Sequence, residues 1–141
     1  MTRFDDKRTK TTIHKAVRHD SAHKHVSGCA HYTDDLPVPQ GTLEVLIAQS
    51  PHAHARIISM DLSAVASAAG VVTVMSAQNV PGVNDCSPVA GDDPIFADDV
   101  VSYVGQSVFA VAAIDMASAR AAIDLAKIKY EVLPAILTID E

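Results

Sequence analysis

VFAVAAIDMASARAAIDLAKIKYEV, residues 108–132, is the stretch on which the fold turns. Val108 to Ile114 is an unbroken apolar run of strand length, a pattern that suits a strand covered on both sheet faces. Asp115 follows where a helix needs a side-chain acceptor for its first free N–H groups. Met116, Ala119, Ala122, Ile123 and Ala126 then recur at helical spacing, which predicts one buried face and leaves Arg120, Asp124 and Lys127 for water. Beyond them Ile128, Tyr130 and Val132 alternate with Lys129 and Glu131, a strand with one wet face, and Pro134 ends it. The order is strand, helix, strand.

Upstream the same grammar appears in smaller form. Leu43, Val45 and Ile47 alternate with Glu44, Leu46 and Ala48, and a second strand is expected over Ala55 to Met60. Asp61 can cap a short helix carrying Leu62, Val65, Ala66 and Ala69 on one face, with Gly70 suited to the left-handed residue that ends it. Val71 to Met75 resumes as strand. The fold class is therefore mixed α/β, a single domain with two strand-helix-strand units, whose crossovers are right-handed if the paired strands are parallel. Between the units, Asn79 to Asp99 is rich in Pro, Gly and Asp and long for a simple connection, so it is either functional or loose. The compact fold is expected to begin near Gly41. Val26 to Pro39 reads as irregular, punctuated by Gly28, Asp34, Asp35, Pro37 and Pro39, and residues 1–24 as a flexible, basic N-terminal extension with few apolar side chains to offset ordering entropy.

The chain has 141 residues, 48% hydrophobic and 20% charged, enough for a core and too apolar for a disordered chain. With no Trp and 4% aromatic residues an aliphatic core is expected, and aromatic base-stacking platforms are not. The formal charge of −6 hides an asymmetry. Up to Lys24 seven basic side chains face three acids, whereas the remainder has four against fourteen. Asp5, Asp6 and Asp20 interrupt the basic head and the acidic body repels phosphate, so no nucleic-acid partner is expected. No apolar run approaches the roughly 18 residues of a membrane span, and the first thirty residues lack a signal-peptide core. A cytoplasmic protein without membrane contact is the expectation, with Cys29 and Cys86 as two free thiols.

No dinucleotide fingerprint, phosphate loop, nucleophile elbow or zinc-helix motif is present, so no catalytic set, cofactor site or metal site is expected in this chain. Seven histidines are many for this length, and His19, His23, His25 and His31 crowd the entry segment, where Asp20 or Cys29 could complete a metal set. No spacing fixes a geometry, and solvated imidazoles are the simpler reading. His52 and His54 read as solvent-facing. The acid pairs Asp34 and Asp35, Asp92 and Asp93, and Asp98 and Asp99 point to opposite faces of extended chain, as turn formers do, rather than converging on a cation.

Read in order, several segments resemble one family. They are His19-Asp-Ser-Ala, His25-Val-Ser-Gly-Cys-Ala, Tyr32-Thr-Asp-Asp-Leu-Pro37, Ser50-Pro-His-Ala-His-Ala-Arg-Ile57, Ile58-Ser-Met-Asp61, Gly70-Val-Val, Asn79-Val-Pro-Gly82, Tyr103-Val-Gly-Gln106 and Tyr130-Glu-Val-Leu-Pro-Ala135. Together they resemble the opening of the molybdenum-binding subunit of xanthine dehydrogenases and related molybdenum hydroxylases, over about residues 19–141. Ser27 and Ser107 depart from the family's usual Thr and Pro. The resemblance implies an α/β hammerhead domain over 25–141 and a parent enzyme that hydroxylates a purine or aldehyde carbon with molybdopterin, iron-sulfur clusters and FAD. Tyr32 to Pro37 and Leu133 to Asp140 look most like the xanthine type. No catalytic position of the family can be matched, so an inactive N-terminal fragment is implied, with the remaining molybdenum-subunit domains and the iron-sulfur/FAD subunit as partners. In this family the long loop borders the substrate route, which makes Ser87, Pro88 and Val89 candidate substrate-access residues. A free-standing binding or assembly module is the other class.

Overall fold

A computed structural model describes residues 14–89 and 91–140. The backbone divides into two compact units, Met1–Val38 and Pro39–Glu141. In the first, a helix absent from the sequence expectation, α1 (Ala22–Ser27), ends at Gly28, whose φ of 71° is the left-handed closure that glycine allows. None of its residues is buried, so it has no apolar period to betray it. A single 3-10 turn, Thr33–Asp35, follows.

The second unit holds the strands β1 (Glu44–Gln49), β2 (Ala55–Asp61), β3 (Val71–Ser76), β4 (Val100–Val101), β5 (Ser107–Ala113) and β6 (Lys127–Val132). Its helices are α2 (Ser63–Ala66) and α3 (Met116–Ile123). They build two three-stranded sheets, ordered β1-β5-β3 and β4-β2-β6. The apolar run at β5 occupies the centre of the first sheet, with Val108, Phe109, Val111 and Ala113 buried.

Both strand-helix-strand units are present, but their strands do not pair with each other. Every pairing is antiparallel, so the parallel crossover does not arise. Instead α2 carries the chain from the β2 sheet to the β3 sheet, and α3 carries it back from β5 to β6. The period of two shows that a segment is a strand and says nothing about which sheet receives it. The sheets share one core, in which Ala55 and Val101 of one and Phe109 and Val111 of the other cluster with Val65, Ala119 and Ala122.

Asp115 caps α3 as expected, its Oδ1 accepting the Ser118 N–H at 2.7 Å. The helix packs its two buried alanines, Ala119 and Ala122, onto β1 and β5. α2 is shorter than the apolar spacing suggests. Ser67 Oγ donates back to the Ser63 carbonyl at 2.9 Å, a local bond that competes with helix continuation, and Gly70 turns the chain at φ 81°. At Gly70 the backbone also runs against α3, where an added Cβ would lie 2.8 Å from Ser118 Cβ and 3.2 Å from Ile114 Cγ1.

Candidate functional site

The long connection is laced to itself. Asn84 grips one residue of the returning chain by both backbone groups, donating from Nδ2 to the Phe96 carbonyl at 2.7 Å and accepting the Phe96 N–H at 3.1 Å. Phe96 and Ala97 are buried, and the Ala97 N–H donates to the Ser107 carbonyl at 2.8 Å. At the tip Asp85 accepts from the Ser87 N–H, the Ser87 hydroxyl and the Asp93 N–H. The Ser87 backbone bond leads these in holding its carboxyl below the usual carboxylate range. The Cys86 N–H and Sγ both reach the Asp93 carbonyl, at 2.9 and 3.3 Å. Desolvation in that turn, then the charge of Asp93, raises the Cys86 thiol pKa.

Of the three candidate access residues, Ser87 is a strut, because its hydroxyl also accepts the Gly91 N–H at 2.6 Å. Pro88 and Val89 point outward, Val89 with 93% of its surface exposed. The role of Asn84 had no local signal in the sequence, since its partner lies twelve residues on.

The histidines fall into two groups. In the first unit the His19 and His25 rings lie 6.1 Å apart, His25 Nδ1 sits 3.1 Å from the Tyr32 hydroxyl, and His19 Nδ1 accepts the Ser21 N–H at 3.2 Å. That bond engages the Nδ1 lone pair of His19 with the chain's own backbone. Cys29 and Cys86 are both free thiols. In the second unit His52 and His54 are half-buried and engaged, which corrects the solvent-facing expectation. His52 meets the Tyr130 ring edge-on with centroids 4.9 Å apart, and His54 Nδ1 lies 2.6 Å from the Pro134 carbonyl. The reason is β2, which starts just after them and draws them against the end of β6, where the Leu133 N–H donates to the His54 carbonyl.

Two hollows mark the second unit. One, of about 490 Å³, lies beside β2 and β3, lined by Ile57, Met60, Leu62 and Val74 with Asn79 and Asp98. The other, of about 580 Å³, lies between Tyr103 and Val104 and the segment from Pro134 to Leu137. Neither lining includes a Lys or Arg, so neither suits the phosphate of a pterin cofactor. Among the described residues no three His, Cys, Asp or Glu side chains converge as metal ligands, and two cysteines are too few for an iron-sulfur cluster. Among the described residues, neither these two hollows nor the side chains able to ligate a metal fit the cofactors that the sequence resemblance attributes to a parent enzyme. Among the described residues no helix is long and apolar enough to cross a membrane.

A family model described as the aldehyde oxidase and xanthine dehydrogenase a/b hammerhead domain matches residues 27–134. A xanthine dehydrogenase of Oryza sativa subsp. japonica is 43% identical over 95% of this chain, and an aldehyde oxidase 1 of Bos taurus is 42% identical over 89%. In each case the chain spans only 10% of the relative. Among solved structures, quinoline 2-oxidoreductase from Pseudomonas putida 86 superimposes with a TM-score of 0.76 at 32% identity, covering 94% of this chain and 18% of that one.

Proposed function

Because the chain belongs to the family of the aldehyde oxidase and xanthine dehydrogenase a/b hammerhead domain, we propose that it is the hammerhead portion of a longer, xanthine dehydrogenase-type molybdenum hydroxylase. The observation that carries this is coverage: nearly the whole chain matches a relative of which it makes up one tenth. The parent enzyme oxidatively hydroxylates a purine, with molybdopterin, iron-sulfur clusters and FAD held by parts outside this chain. The xanthine type rests on Tyr32 to Pro37 and Leu133 to Asp140, since overall identity to xanthine and aldehyde relatives is nearly equal.

The chain's own work in this reading is scaffolding. Residues 25–141 form the domain proper and 1–24 an extension, in a cytoplasmic enzyme. Partners are the remaining molybdenum-subunit domains and the iron-sulfur/FAD subunit. Exposed apolar side chains on β1 and β3, Val45, Ile47, Val72 and Met75, offer those domains a surface. Pro88 and Val89 stand toward the substrate route on a loop that Ser87 and Asn84 stiffen.

The test is oxidation of hypoxanthine and of an aromatic aldehyde with an artificial electron acceptor, by the parent polypeptide and by the 141-residue chain. The parent should oxidise the purine in preference and the chain should oxidise neither. Purine turnover by the chain alone would overturn the scaffold reading, and aldehyde preference in the parent would overturn the xanthine type.

A further inference from the structure

The backbone of β2 is covered unevenly. β4 pairs only with Ala55 and Arg56, and the Asp99 carbonyl extends that side by one bond, accepting the Ile57 N–H at 2.7 Å. Ile58 stands at an irregularity in the register and pairs with neither neighbour, and from Ser59 to Asp61 the ladder continues on the β6 side alone. β3 is likewise an edge strand, paired with β5 and with no strand beyond it among the described residues. The 490 Å³ hollow lies along both open edges, with Met60 and Val74 in its lining. A row of unpaired N–H and C=O groups beside an apolar trough is the template on which another strand adds. At roughly 3.3 Å per residue, the four uncovered positions offer about 13 Å of edge.

The rim adds two preferences. Asn79 Oδ1 is committed to the Ser76 N–H and hydroxyl, which leaves the Asn79 Nδ2 hydrogens for an incoming carbonyl. Asp98 pairs with no cation among the described residues. We propose that an extended segment of the parent polypeptide, lying outside this chain, adds as a strand to the open edge of β2, setting apolar side chains into the trough and a Lys or Arg against Asp98. The inference rests on the reading of the chain as one part of a longer protein.

Length and charge favour this occupant. A four-residue edge is far short of the roughly 800 Å² per partner that a free protein needs for a specific contact, whereas a tethered segment acts at millimolar effective concentration. A second copy of the chain is a poorer fit, since it carries eleven basic against seventeen acidic side chains and would on balance bring like charge to Asp98.

Hydrogen exchange of the parent polypeptide and of the 141-residue chain tests the proposal. The amides from Ile58 to Asp61 that face away from β6 should exchange at least roughly tenfold more slowly in the parent, while β5, paired on both sides, is protected alike in both. Within the parent, Asp98→Lys should speed exchange at Ile58 to Asp61, whereas Asp92→Lys should not. That comparison holds even if the short chain fails to fold. Equal exchange of this stretch in both proteins with β5 protected, or indifference to Asp98→Lys in the parent, would overturn the strand. Protection that appears in the short chain and grows with its concentration would overturn it in favour of a second copy. A natural product with the intact mass of the 141-residue chain would instead sink the longer-protein reading, a result distinct from either.

Discussion

Replacing Gly70 by Ala should be among the most damaging single-methyl changes in this chain. Two costs add. At φ 81° an L-residue sits in the left-handed region, at roughly 1–2 kcal/mol. The new Cβ would also lie 2.8 Å from Ser118 Cβ, which is anchored to the α3 backbone and cannot swing aside as a side-chain tip could. Either α3 or the start of β3 must move, an overpacking cost of roughly 1–3 kcal/mol. About 3 kcal/mol in total corresponds to a melting temperature lower by roughly 12–24 °C for a unit of this size. Gly41→Ala is the control, because its φ of 84° is nearly the same while its Cβ would meet nothing within 4 Å. Thermal unfolding followed by circular dichroism should rank Gly70→Ala well below Gly41→Ala. Ser118→Gly should recover the steric share in the double variant, with a coupling of about 1 kcal/mol or more. If Gly70→Ala and Gly41→Ala melt together and Ser118→Gly restores nothing, the packed corner between β3 and α3 is not as described.

Other expectations follow from the same geometry. Ala122→Asp puts an unpaired charge on the buried face of α3 and should cost about 3 kcal/mol or abolish folding, whereas Asp124→Ala on the wet face should barely shift the melt. Asn84→Ala leaves the Phe96 N–H and carbonyl without partners and should cost about 2–4 kcal/mol in urea unfolding, with faster proteolysis of the loop. Asp115 is held below the usual carboxylate range first by the Ser118 backbone N–H and then by the Ser118 side chain. Its contribution is therefore complete above the unfolded-state pKa near 3.8 and is lost as pH falls through the lower folded value. Asp115→Asn, still a good cap, should keep neutral-pH stability and make the acid decline shallower. In the parent enzyme, Val89→Trp should lower kcat/KM for bulky substrates with molybdenum content unchanged, and unaltered kinetics for large and small substrates would reduce the loop to a connector.

What could be read from the residues alone was local. Val108 to Val132 declared its strand, cap, helix and strand, because each depends on neighbours within about four positions, and Asp115 bonds Ser118 as its place implied. Pairing was not legible. Nothing in the alternation of Ile128 and Tyr130 says that β6 should leave β5 and join β2, a choice made by the core the two sheets share. α1 was missed because none of its residues is buried, and β4 because two residues carry no period. The ordered segments shared with the hydroxylases marked the family, which the match over residues 27–134 bears out. The open edge of β2 could not be foreseen, since it exists only where a short strand stops pairing.

The exchange of the chain between sheets also bears on how the protein emerges from the ribosome. Each ladder joins a strand that ends by Ser76 to one that begins at Val100 or later. While β1, β2 and β3 are being synthesised they have no sheet partner among one another, and their apolar residues wait in an unpaired chain. β5 closes the first sheet in a single step, having β1 on one side and β3 on the other, and β6 then completes the second. Such long-range pairing folds slowly and leaves the nascent segment exposed to aggregation. A pause in translation between Ser76 and Val100 should therefore prolong the nascent chain's dependence on chaperones, and one placed well after Val132 should not.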